Sequence, residues 1–162
     1  MLPQGPLREG VDRLASVDVE VLNGPDITAI APGLRDPLQM TVDIDALRSV
    51  ATDEALPLET LRGARVHAVA ATGNPERFFS LLRNLGCRPL AHPFPDHHRF
   101  RAPDLAFGDD QLIVMTEKDA VKCRAFATGR MLYLQVSAAL PQAQSADLLR
   151  RVQDCMTRGI RT

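Results

Sequence analysis

Residues 92–100 read HPFPDHHRF and set one carboxylate, Asp96, beside two imidazoles, His97 and His98, with a third, His92, just upstream. Pro93 and Pro95 fix φ and withhold backbone donors, so the stretch predicts a constrained loop that displays its side chains, not a helix or a central strand. Three chemistries suit such a set. His92, Asp96, His97 and His98 offer nitrogen and oxygen ligands for a metal ion, but adjacent histidines rarely point at one ion and no helical Glu-His pattern supports it. One imidazole under the loop could serve as a hydrogen-bonded strut. The third option makes His97 a proton-handling group, with Asp96 or an acid elsewhere fixing its tautomer. Residue types alone do not choose among the three.

Two further stretches carry polar chemistry. Gly73 to Glu76 (GNPE) puts backbone amides at the start of a helix, where an anion is favoured, although a plain helix cap explains the same residues. Thr116 and Asp119 stand at capping-box spacing with Lys118 between them, a cation in a first helical turn where the dipole opposes it.

The elements that must position these residues alternate in kind from residue 60 onward, short apolar runs against amphipathic segments, the pattern of βαβ units and a parallel sheet. Residues 65–73 (RVHAVAATG), 88–94, 111–116 and 131–137 predict strands. Residues 74–86 predict the best-marked helix, with Asn74 as N-cap, Pro75 at its first position and Gly86 closing it. Residues 116–127 and 145–160 predict two more, the latter with Leu148, Leu149, Val152 and Met156 on one face. Upstream, 17–24 and 38–43 predict short strands joined by a connector containing Pro25, Pro32, Gly33 and Pro37. In such an open sheet, ligands bind beyond the carboxyl ends of the strands, so the loops holding ATGNP, PFPDHH, MTEKD and VLNG are expected to cluster.

Composition narrows the partners. The 162 residues carry 19 basic and 20 acidic side chains, a net charge of −1, which gives no general electrostatic case for nucleic acid. Lys118 and Lys122 are the only lysines, so the cationic chemistry is almost all arginine, suited to carboxylates and phosphates. Cys87, Cys123 and Cys155 form neither a CxxC pair nor a spaced zinc site, which fits a reducing, cytosolic setting. No apolar run is long enough to span a membrane.

Five segments in order, LPQGPLRE (2–9), VLNG (21–24), GNPERFFSLLRNLG (73–86), FPDHHRF (94–100) and MTEKDAVKC (115–123), give the chain its resemblance: it is similar to the C-terminal half of the tetraacyldisaccharide 4'-kinase family, the lipid A 4'-kinases of Gram-negative bacteria. The resemblance implies an α/β three-layer sandwich with a mainly parallel sheet, a P-loop-kinase-like second domain over about 35–140, a remnant of the N-terminal P-loop domain over 1–34, and a closing helix over 141–162. It implies ATP and Mg²⁺ as co-substrate and metal, a lipid A disaccharide 1-phosphate precursor as acceptor at its 4'-hydroxyl, and a place at the cytoplasmic face of the inner membrane. It implies that the PDHH histidine, His97, pairs across a domain cleft with an aspartate of the first domain. Asp96 stands beside it, while Arg8 of the first segment and Asn23 of the second are the candidate contacts for the anionic disaccharide.

The motif G-x-x-x-x-G-K-[ST], which supplies the phosphate cradle, does not occur, since neither lysine follows a glycine. The chain alone is therefore expected to be incomplete, to bind no nucleotide or metal by itself and to lack kinase activity. A non-catalytic binding or interaction module derived from that kinase is the alternative, and a metal-dependent hydrolase a distant third.

Overall fold

The computed structural model of the chain describes residues 11–23 and 37–159. Arg8, the segment 2–9 and the whole connector from Pro25 to Gly33 lie outside them. The chain divides into two compact units, residues 44–137 and residues 1–43 with 138–162.

In the second of these, β1 (Val21–Asn23) runs parallel to the start of β2 (Leu38–Ser49), with Val21 facing Leu38 and Asn23 facing Met40. The closing helix α3 (Gln142–Gly159) is tied here by Gln144, whose side-chain oxygen accepts from the Gln39 amide at 2.8 Å. β2 is twice as long as its sequence predicts. Leu38, Met40, Val42 and Ile44 alternate with polar residues past Asp43 and Asp45, two strand-disfavouring acids that hide a period-2 pattern running on to Ala46 before Leu47 and Ser49 turn inward.

The unit 44–137 holds the rest of the sheet. After the two-residue strand β3 (Ala55–Leu56), antiparallel to β2, come β4 (Arg65–Ala70), α1 (Pro75–Asn84), β5 (Arg88–Pro93), β6 (Leu112–Thr116), α2 (Glu117–Cys123) and β7 (Met131–Ala139). The strand order is β2-β7-β6-β4-β5, and β5, β4, β6 and β7 are mutually parallel. β2 meets β7 through Val50 N to Met131 O and Arg48 Nε to Gln135 Oε1, one number rising as the other falls, the pattern of an antiparallel pair. β5 is an edge strand, which is why Pro89 and Pro93 are tolerated in it.

The alternation along the parallel strands builds three layers. Val66, Ala68 and Ala70 of β4, Val114 of β6, and Leu132 and Leu134 of β7 face one way and pack on Phe79 and Leu82 of α1. Val69, Ala71, Ile113, Met115, Met131 and Tyr133 face the other way onto Ala120 and Cys123 of α2 and onto Phe100 and Leu105. Burying Phe79 and Leu82 stabilises the α1 layer by about 1.5–3 kcal/mol each. α1 stops where expected because Gly86, at φ +85°, takes the left-handed turn that glycine enters without a Cβ penalty. Asn74 precedes the helix but makes no side-chain cap bond.

Candidate active site

Within the 44–137 unit the ATGNP, PFPDHH and MTEKD loops meet, because β5, β4 and β6 are adjacent and parallel and deliver their carboxyl ends to one edge of the sheet; VLNG belongs to the other unit. The anchor is Asp119. Its carboxylate is fully buried; Oδ2 accepts from the Thr116 hydroxyl at 2.7 Å and the Ala71 amide at 2.9 Å, and Oδ1 from Lys122 Nζ at 2.8 Å. Thr116 caps α2 by accepting from the Asp119 amide at 3.3 Å. The expected capping box is thus half realised: the acid reaches across to the end of β4 instead of back to the N-cap amide.

One residue before Asp119, Lys118 projects to the 94–98 loop and donates to Asp96 Oδ1 at 2.9 Å. The same oxygen accepts from the His97 amide at 3.0 Å. Lys118's hydrogen bond, with the His97 ring and amide adding, holds the Asp96 carboxyl below its ordinary value. Oδ2 is left facing His97 Nε2 at 3.7 Å. His97 has φ +61°, a left-handed conformation costing a residue with a Cβ about 1–2 kcal/mol, and its side chain is 79% exposed. A strained backbone that lifts an imidazole into solvent beside a fixed carboxylate is an arrangement able to take and return a proton.

Rigidity comes from below. Phe94, His98 and Phe100 form an aromatic cluster with centroids 4.8–5.0 Å apart, and Lys122 Nζ lies 5.6 Å over the Phe100 ring. His98 Nε2 bonds Asp104 Oδ2 at 3.1 Å while its amide donates to Pro95 O at 3.0 Å. His98 is therefore the hydrogen-bonded strut, and His97 the displayed ring.

The four candidate metal ligands do not converge. His92 lies within β5 rather than in the loop, and its Nε2 is 2.9 Å from Nδ1 of His67. His67, 5% exposed in the middle of β4, bonds Asp109 through Nε2 at 3.0 and 3.1 Å. Phe107 stacks on both rings at 4.1 Å. Burial, then the neighbouring His67, pushes the His92 pKa down, and the Gln111 amide followed by His67 pulls that of Asp109 down. Sequence reasoning missed this relay; a histidine inside an apolar strand needs partners, but nothing local names residues 92 and 109. Among the described residues no group of three or more His, Cys, Asp or Glu side chains is placed to hold a metal ion.

Asn23 ends β1 and belongs to the other unit; Arg8 lies outside the described residues. A hollow of about 610 Å³ lined by Ser49, Thr52, Glu54, Leu56 and Gly129 sits toward the amino end of β7 and contains none of the candidate residues.

The fold and this edge define an α/β domain, a mostly parallel sheet between helices with its polar loops at the strand carboxyl ends. It resembles the crystal structure of LpxK from Aquifex aeolicus in complex with ATP, with a TM-score of 0.60 and 20% identity over 95% of this chain and 47% of that one. The tetraacyldisaccharide-1-P 4'-kinase family model matches residues 1–153, and the chain belongs to that family. Relatives named tetraacyldisaccharide 4'-kinase include that of Alkalilimnicola ehrlichii, 49% identical over 85% of this chain and 40% of the relative. Those of Xanthomonas oryzae pv. oryzae and Methylobacillus flagellatus are 43% and 41% identical over 98% and 99% of this chain and 47% and 46% of theirs. The chain thus spans about half the length of the curated relatives it matches, and the whole C-terminal resemblance read from five motifs is the family's.

Proposed function

We propose that this chain supplies the second half of a tetraacyldisaccharide 4'-kinase, in which His97, oriented by Asp96, handles the proton of the sugar 4'-hydroxyl. The 4'-oxygen bonds to the γ-phosphorus of ATP, the bond from that phosphorus to the β,γ-bridging oxygen breaks, ADP leaves, and the hydroxyl proton passes to the His97 ring. Phosphoryl transfer depends mostly on positioning and charge stabilisation, so a correctly placed acceptor contributes about 10²–10⁴-fold. One observation carries the reading: His97 is held outward on a left-handed backbone with a carboxylate 3.7 Å from its ring. Asp96 being held below the usual carboxylate range keeps it anionic and able to stabilise the imidazolium that forms.

ATP and the acylated disaccharide enter as the family's substrates, with Asn23 and Arg8 as disaccharide contacts, and an acylated acceptor places the reaction at a membrane surface. No helix among the described residues is long and apolar enough to cross one. The described residues bring together no group of three or more His, Cys, Asp or Glu side chains that would hold Mg²⁺ as an all-protein site. With no G-x-x-x-x-G-K-[ST] sequence in this chain, the phosphate cradle is assigned to the kinase's other half.

The test is transfer of ³²P from γ-labelled ATP to tetraacyldisaccharide 1-phosphate in detergent. The 162-residue chain alone is expected to give no product, and the chain joined to the first half of the Alkalilimnicola relative to give it. Turnover by the chain alone would overturn the division of labour. A fusion that folds and binds ATP yet never transfers would favour a non-catalytic binding module.

A further inference from the structure

Lys118 occupies a position the helix itself disfavours, a cation in the first turn of α2 where backbone amides already present positive charge. It is not free to choose another place. Thr116 caps the helix two residues before it, and Asp119, one residue after it, is locked in the core by Ala71, Thr116 and Lys122. The Lys118 side chain therefore leaves a rigid root and ends on Asp96 Oδ1 at 2.9 Å, the oxygen already holding the His97 amide. Two donors on Oδ1 fix the plane of the carboxylate, and Oδ2 is what remains for the His97 ring.

We infer that Lys118 is the positioning residue of this edge: it turns Asp96 so that one oxygen secures the left-handed His97 backbone and the other faces the His97 imidazole. The functional weight of this inference rests on the proton-handling role proposed for His97. Lys118 touches no reacting atom in it. A lone surface ion pair between half-exposed side chains stabilises a fold very little, so its use here is geometric: it joins the buried Asp119 anchor to the exposed ring through one carboxylate.

The experiment needs no catalysis, so its failure is separable from failure of the kinase reading. In the 162-residue chain, nuclear magnetic resonance follows the Asp96 carboxyl carbon against pH and the His97 amide and ring signals, in the wild type, Lys118→Met and Lys118→Arg. Methionine keeps the length of the side chain without its charge; arginine keeps the charge. Lys118→Met is expected to move the Asp96 midpoint upward and to shift the His97 amide and ring signals, with signals of β4 and β6 unchanged. Lys118→Arg is expected to restore both in large part. If Asp96 moves while His97 does not, the pair is an ordinary surface ion pair and the inference is overturned. Unchanged signals at both residues overturn it as well. A fusion enzyme inactive in transfer, with these shifts intact, would remove the kinase role of His97 and leave the positioning role standing.

Discussion

Replacing Asp119 with alanine removes a carboxylate that is fully buried and accepts three hydrogen bonds. The Ala71 amide loses its partner at the end of β4, and leaving such a buried donor unpaired costs about 1–3 kcal/mol. Breaking a buried ion pair costs about 3–5 kcal/mol when the surviving charge stays buried, but the Lys122 side chain is 26% exposed and can turn to water, so this part falls well below that range. Thr116 remains able to cap α2. The sum points to about 3 kcal/mol for Asp119→Ala. For Asp119→Asn, whose amide oxygen can still accept from Ala71, about 1–2 kcal/mol is expected. Tyr133 is the only tyrosine and the chain has no tryptophan; it is buried in β7, so urea unfolding followed by its fluorescence reports on the 44–137 unit directly. At unchanged m, the Ala variant's ΔG is expected to fall by about 3 kcal/mol, which for a chain of this size lowers Tm by roughly 6–12 °C. A loss under about 0.5 kcal/mol for both variants would refute the view that Asp119 is the anchor of the strand edge.

Three further outcomes follow from the same geometry. His92 is a base whose folded pKa is depressed from 6.5 by burial and by His67, so the unfolded chain binds its proton more readily; stability is full above about pH 6.5 and declines as pH drops below it, and a His92→Phe variant is expected to show a flatter curve between pH 7 and 5 by urea midpoint. His97→Gly relieves the left-handed strain at φ +61° and is expected to leave stability unchanged or raised by up to about 1 kcal/mol, whereas Gly86→Ala at φ +85° is expected to lose about 1–2 kcal/mol; the opposite order in urea midpoints contradicts both assignments. Cys87 and Cys123 are buried and Cys155 exposed, with burial first among the causes that push the Cys123 thiol up to about 12, so a thiol reagent at pH 8 is expected to count one fast thiol in the folded chain and three in urea.

Much of the 44–137 unit is legible in the sequence because local signals and tertiary demands agree there. Pro75 and Gly86 bracket α1, and Ile113, Val114 and Met115 are apolar without alternation because β6 is covered on both faces. Where acids fall on a strand's open face, as at Asp43 and Asp45, the pattern is obscured and β2 is read short. Asp96 and His97 are found from residue type and proline spacing, and separating His97 from its neighbours is not: His98 turns inward only because Asp104 and two phenylalanines meet it there. The His67, His92 and Asp109 relay joins residues 25 and 42 positions apart, a distance no local periodicity encodes. The Lys118 contact to Asp96, 22 residues away, follows from the β4–β5–β6 adjacency and so becomes visible only with the fold.

The central claim is that the His97 ring takes the hydroxyl proton during transfer. Steady-state kinetics of the fusion enzyme with His97→Ala tests it most directly, with His98→Ala as the control for loop integrity. His97→Ala is expected to lower kcat by about 10²-fold or more with KM little changed, and His98→Ala to have a smaller, mainly stability-related effect. A His97→Ala enzyme with wild-type kcat contradicts it.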